Sequence, residues 1–296
     1  MRHLRPRESV GGGLKGATMK KPAPEPGIYP GVPMAEYAAW DAMNHSALKW
    51  FDHSPAHVKR VLDGAEFEPS DAMEFGSAVH AWVLERERYA DLVALRPVFE
   101  GKGAKGERTA WEVWNTYKIK IPSERQADVE AVGRVIMADP NCRRLAKNPG
   151  HRECCIVWDE GGVRCKGRVD KFYHTLGMAL DLKTTKDASP TKFARGVVDY
   201  GYASQAAFYT RGLAALGVTL TKFYILAVEN EAPFGAAVYT LDDEFMRIGR
   251  TQVALWMQQA QACFKSGEWP GYPSGVVSLS PPAWWAKQWE GMEVAV

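Results

Sequence analysis

Hydrophobic and polar positions along this 296-residue chain change period once, near residue 150. From Asn44 to about Ile136 the apolar residues recur at helical spacing. Asn44 or Ser46 can cap a helix running through Leu48, Trp50 and Phe51, and Ser54-Pro55 opens the next. Phe75, Ala78, Val79, Trp82 and Val83 follow the i, i+3, i+4, i+7, i+8 pattern of a buried helical face, with His80 at its edge. Further helices are predicted around Trp111–Tyr117 and Ala127–Ala138. The Gly/Lys-rich segment Gly101–Gly106 between them reads as a mobile basic loop.

Strand patterns take over at Glu153. Glu153–Trp158, a Glu160-Gly161-Gly162 turn, Val163–Tyr173 and Met178–Lys183 predict a three-stranded meander. The first turn is expected to set Glu153 opposite Arg168, with Arg164, Lys166, Arg168 and Asp170 on one side of the middle strand. A helix over Tyr202–Leu216 places Tyr202, Gln205 and Tyr209 on one stripe. Strands at Lys222–Val228 and Ala236–Leu241 and a long helix over Asp242–Lys265 follow. The predicted organisation is a disordered basic leader (1–26), a mainly helical part (27–150), a strand-bearing core (151–270) and a Pro/Trp-rich tail (271–296). There are no internal repeats.

Composition narrows the classes. With 46% hydrophobic and 24% charged residues, no apolar run approaches the ~20 residues of a membrane span. The start, Met1-Arg2-His3-Leu4-Arg5-Pro6-Arg7, lacks the apolar stretch of a secretory signal. Five cysteines, odd in number and without a CxxC, fit reduced thiols in a cytoplasm. Net charge is +2, but residues 1–25 hold six Lys/Arg and two acids, leaving the remainder at −2. A nucleic acid would therefore have to meet a local basic patch. No GxxxxGK[ST] loop is present, which argues against a nucleotide-driven enzyme.

The chemistry concentrates in two short segments, Gly167-Arg168-Val169-Asp170-Lys171 and Asp181-Leu182-Lys183-Thr184-Thr185. A turn centred on Thr175-Leu176 sets Asp170 opposite Asp181, with Cβ atoms roughly 4.5–5.5 Å apart. Like charges so placed call for a divalent cation between them. Asp181 and Lys183 project to one face and Leu182 to the other. A carboxylate flanked by Leu180 and Leu182 needs a partner; a salt bridge to Lys183 alone is the plainer alternative. Glu153 is either a metal-side carboxylate or the ion-pair mate of Arg168, and the second is favoured.

Helices, then strands carrying D…DxK, then a helix carrying Gln and Tyr resemble the PD-(D/E)XK nuclease superfamily. The match narrows to the phage and prophage RecE-type exonucleases (exonuclease VIII). His45-Ser46-Ala47-Leu48-Lys49, Ser54-Pro55-Ala56-His57 and Gly76-Ser77-Ala78-Val79-His80 carry it, as do both aspartate segments, Tyr202–Tyr209 and Trp269-Pro270-Gly271-Tyr272. The fold this implies is an α/β core, a central mixed sheet flanked by helices, with a helical N-terminal region. The activity implied is Mg²⁺-dependent exonucleolysis of linear double-stranded DNA, 5′ to 3′, with Mn²⁺ able to substitute. It leaves 3′ single-stranded tails for a single-strand annealing protein, in a homo-oligomeric ring in the host cytoplasm. Asp170, Asp181, the Leu182 carbonyl and His80 correspond to the metal ligands. Lys183 orients or deprotonates the attacking water, and Gln205 and Tyr209, one helical turn apart, contact the scissile phosphate. The alternatives are a structure-specific or repair endonuclease on the same core, or a catalytically inactive DNA-binding assembly protein. An iron–sulfur cluster is excluded, since only Cys263 lies near the C-terminus.

Overall fold

Six strands, numbered here in chain order, build the central sheet of the computed structural model, which describes residues 20–65 and 68–290. They are β1 (Gly27–Tyr29), β2 (His151–Glu160), β3 (Val163–Tyr173), β4 (Met178–Thr185), β5 (Lys222–Glu229) and β6 (Ala236–Thr240). The strands lie side by side in chain order, and every neighbouring pair is antiparallel except β4 with β5. The helices that frame the site are α1 (Pro55–Leu62), α2 (Asp71–Leu84), α3 (Gln126–Ala138), α4 (Pro140–Lys147), α5 (Pro190–Tyr200), α6 (Tyr202–Ala215) and α7 (Asp243–Ser266). A parallel pair needs a crossover, and α5 and α6 supply it between β4 and β5.

Local signals fix several helix starts. The Asn44 carboxamide accepts from Ala47 N–H at 2.8 Å, and Asp242 accepts from Phe245 N–H at 2.9 Å at the head of α7. Asp139 accepts from the N–H groups of Asn141 and Cys142, with Pro140 in the first turn of α4. These are ordinary N-caps, each worth about 1 kcal/mol.

Both faces of the sheet are covered. Ile156, Trp158 and Ile225 pack against Phe208 of α6 and Trp256 of α7. On the other face Leu180, Leu182 and Leu226 pack with Val79 of α2, Val132 and Ile136 of α3, and Leu145 of α4. The helices before residue 150 thus close one wall of the same core as the strands. The protein is α/β, with a mixed sheet flanked by helices.

Two buried lysines tie peripheral chain to the middle strand. Lys166 Nζ donates to the Tyr37 and Trp40 carbonyls at 2.8 and 2.6 Å, and Lys171 Nζ donates to Ala146 O at 2.6 Å, where α4 ends. Burial pushes both amines down to about 8.

Several boundaries differ from expectation. Residues 1–19 of the predicted leader lie outside the described residues, but pairing already begins at Lys21–Pro22, parallel to Trp40–Asp41. The Gly/Lys-rich segment is only partly loop: a helix spans Ala104–Trp114, starting after Gly103 and ending three residues before the expected Tyr117. The turn between β2 and β3 is Gly161-Gly162, both at positive φ (58° and 82°), with Glu160 paired to Val163. Two successive left-handed residues suit a tight hairpin, and only glycine adopts them without strain. As a result Arg168 pairs with Cys155, and Glu153 faces Asp170 instead of Arg168.

Candidate active site

The β3–β4 register is the one the turn predicts: Tyr173 faces Met178, Phe172 faces Ala179 and Lys171 faces Leu180. Pairing stops there, one step short of Asp170 and Asp181. Where the strands part, the Leu182 N–H is taken by Asp170 Oδ2 at 2.7 Å. A side chain thus replaces the missing backbone acceptor, as a buried N–H requires. The Leu182 carbonyl accepts from His80 Nε2 at 2.7 Å. Because a carbonyl only accepts, Nε2 carries the proton, and Nδ1 faces Asp170 Oδ2 at 3.5 Å and Glu153 Oε1 at 4.0 Å.

The same level of β3 is irregular on its other side. Arg152 pairs with Lys171 and Cys154 with Val169, so register is kept, yet Glu153 and Asp170 between them do not pair. Glu153 has φ +48°, a left-handed conformation that costs a non-glycine residue on the order of 1–3 kcal/mol. Side-chain alternation also slips here. Val169 packs into the core beneath α6, whereas Tyr173, four residues on, packs into the opposite one. The kink turns Glu153 toward the gap, where Oε2 accepts from Arg168 Nε at 2.7 Å. Glu153 is thus both mate of Arg168 and neighbour of the cluster. Among the described residues, His80, Glu153 and Asp170 each bring one ligand atom within 4.8 Å of the others.

Asp181 and Lys183 stand beside this group. Asp181 is 1% exposed, and neither of its oxygens accepts a well-directed hydrogen bond. Its one close partner is Lys183 Nζ, 2.7 Å from Oδ2. The Lys183 ammonium also lies over the ring of Tyr202, 4.8 Å from its centroid, a cation–π contact. Tyr202 thus joins the site unforeseen; on its helical stripe only Gln205 and Tyr209 carried a signal. Gln205 Nε2 donates to the Tyr209 hydroxyl at 3.2 Å, and Tyr209 packs on Gly167, where a Cβ would sit 3.0 Å from the ring.

Electrostatics bind these groups into one unit. Burial pushes the Asp170 carboxyl up to about 7; the His80 charge opposes that rise and Asp181 reinforces it. Burial alone would lower His80, but Asp170 and Glu153 reverse the sign and raise it to about 9. Burial likewise works against the Lys183 ammonium, and the Asp181 and Asp170 charges overcome it, so its value is raised. Burial raises the Tyr209 hydroxyl, with Tyr37 and then Asp181 adding to it. Perturbed acids and bases gathered on diverging strands mark a functional centre.

The donor set fits a divalent cation. It offers carboxylates on three strands, the Leu182 carbonyl and one imidazole, and it includes the buried Asp181 carboxylate, whose oxygen Oδ1 has no partner among the described residues. Oxygen-rich sets suit Mg²⁺ or Mn²⁺, and the imidazole leans toward the softer of the two.

A mixed sheet whose diverging strands carry D…DxK defines a PD-(D/E)XK-like protein. The chain belongs to the family described as "PDDEXK-like domain of unknown function (DUF3799)", whose model matches residues 44–279. No curated protein matches. Among solved structures, the chain is similar in fold to the "Putative exonuclease" of Eubacterium rectale. The two are 17% identical, with a TM-score of 0.53, over 85% of this chain and 94% of that one. A second structure, SSO0001, aligns at 12% identity over 71% of this chain and 85% of its own, with a TM-score of 0.25.

Proposed function

We propose that this protein is a metal-dependent deoxyribonuclease that degrades linear double-stranded DNA from 5′ to 3′. It leaves 3′ single-stranded tails for phage-type recombination. The observation that carries the reading is Asp181: a buried carboxylate paired, among the described residues, only with Lys183 and set beside His80, Glu153 and Asp170. Asp170, Asp181, the Leu182 carbonyl and His80 would hold the ion, with Glu153 at its margin. When bound, a divalent cation lowers the pKa of water and offsets charge on the phosphate oxygens.

The chain's own groups do the rest. Asp170 fixes the backbone of β4 through the Leu182 N–H, which sets the direction of Asp181 and Lys183. With its proton held by two aspartates, Lys183 acts as a cation: it orients the attacking water and stabilises charge developing at phosphorus. Tyr202 stacks against the Lys183 ammonium and limits its freedom. Gln205 and Tyr209, already bonded to each other, present an amide and a hydroxyl to a phosphate oxygen. The likeness to RecE-type exonucleases supports linear duplex as substrate and a ring-forming oligomer working with a single-strand annealing protein.

The test is digestion of end-labelled linear duplex, 5′-phosphorylated or not, with Mg²⁺ and with chelator. Wild type should release nucleotides from the 5′ end only with metal, and Asp181→Ala should release none. Undiminished digestion by Asp181→Ala would refute the site. Cutting of closed circular DNA would replace exonuclease with endonuclease.

A further inference from the structure

Two sequence segments with no part in the metal centre meet on the surface. His45–His57 follows the short strand Trp40–Asp41, and Trp269–Tyr272 follows α7. Ala56 N–H donates to Pro270 O at 3.0 Å, Phe51 stacks on Trp269 with centroids 6.5 Å apart, and the rings of His57 and Tyr272 lie 5.5 Å apart. Above this joint sits a row of rings, of which Trp50, His53 and Tyr272 are exposed and His57 half-buried. Trp50 is parallel to His57 (7° between planes, centroids 6.0 Å apart), and His53 packs beside both at 4.8 and 5.5 Å. The Ser54 hydroxyl lies 2.7 Å from His57 Nδ1 and fixes that ring. Trp50 is 36% and Tyr272 66% exposed, a large aromatic surface that the fold itself leaves uncovered.

Two cations flank the row, with the Lys59–Asp63 ion pair beside one of them. Lys49 precedes Trp50, and Arg60 lines an open hollow between α1 and Trp269. Among the described residues neither cation makes an ion pair. The row also connects to α6. His45, one helical turn before Lys49, has its Nε2 3.0 Å from the Ser204 hydroxyl. Ser204 lies two residues from Tyr202, the ring under Lys183.

We infer that Trp50, His53, His57 and Tyr272, flanked by Lys49 and Arg60, form a platform that stacks unpaired bases of single-stranded DNA. Flat rings tolerate any base and cations follow the backbone, the combination by which proteins hold single strands without reading sequence. The inference rests on the nuclease reading, since an enzyme that strips one strand of a duplex leaves the other unpaired beside its site. The platform would hold that strand clear of the metal centre.

The test is fluorescence anisotropy of labelled (dT)20 with the full chain in chelator, where nothing is hydrolysed. Wild type is expected to bind, Trp50→Ala and Tyr272→Ala to weaken binding by about tenfold each, and Trp50→Phe to stay within about threefold. Lys49→Ala and Arg60→Ala should each flatten the dependence on log salt by roughly 0.7. Unchanged melting temperatures show that the variants fold. Absent binding by wild type, equal binding by the alanine variants, or equal binding of an abasic strand would each overturn the platform. So would light scattering in which Trp50→Ala dissociates an oligomer, since the rings would then be a contact between copies. Digestion of duplex by wild type against Asp181→Ala, read separately with Mg²⁺, tells failure of the platform from failure of the nuclease reading.

Discussion

Glu153 and Asp170 occupy facing positions on β2 and β3 yet do not pair, and both turn their carboxylates toward His80. The interruption has an energetic signature. Glu153 and Arg168 are an almost fully buried ion pair, 12% and 9% exposed at the side chains. Removing one partner strands a buried charge, whereas removing both does not. Glu153→Gln should lose roughly 1–3 kcal/mol in urea unfolding, and the double change with Arg168→Met should recover much of it. Additive losses would show that the two do not act as a pair.

Lys183 and Asp181 should separate by readout. Lys183→Met removes a cation from the metal's side, so calorimetry should find divalent-ion binding as tight as wild type or tighter, while turnover falls by about a thousandfold or more. Asp181→Ala should lose both. A Lys183 variant that fails to bind metal would make the lysine a structural partner only.

Metal binding should rise with pH. The ion competes for Asp170, whose carboxyl is pushed up to about 7, and for His80, held protonated to about 9. Both must give up protons to coordinate. Mn²⁺ or Mg²⁺ affinity is expected to increase from pH 6 to pH 9, with protons released into the buffer. Affinity that is flat across this range would remove both groups from the ligand set.

Close packing holds the metal centre at two glycines. At Gly76 a Cβ would sit 2.8 Å from Thr184 Oγ1 on β4; that hydroxyl can rotate, so Gly76→Ala should be mild, while Gly76→Val should lift α2 and withdraw His80 from Leu182. Weaker metal binding with little unfolding is the expected result. At Gly249 the atom met is Ala203 O, 2.4 Å away and part of the α6 backbone. Backbone cannot rotate aside, so Gly249→Ala should cost about 1–3 kcal/mol in thermal or urea unfolding.

Legibility followed how local each determinant is. The β3–β4 register could be read because one short turn, ending at Gly177 in a left-handed conformation, decides it. The β2–β3 register could not, since Glu160-Gly161-Gly162 allows two placements, and the chain takes the one in which both glycines form the loop. Asp139-Pro140 and Ser189-Pro190 stand at the starts of α4 and α5, two short helices that the apolar spacing did not reveal. Nothing local foretold φ +48° at Glu153, because glutamate has no preference for that region and only surrounding packing holds it there. Tyr202 stands on the predicted stripe but without a predicted role, for another reason: its role comes from a lysine on strand β4, a contact no helical spacing encodes.

The two internal ammonium groups on β3 have a mechanical consequence. Lys166 anchors the end of a helix more than 120 residues earlier in sequence, Lys171 anchors α4, and Asp170 lies between them. The strand is therefore tethered by side chains on both flanks of Asp170, at the level where its backbone pairing is interrupted. Those tethers hold the aspartate in place where ladder hydrogen bonds do not.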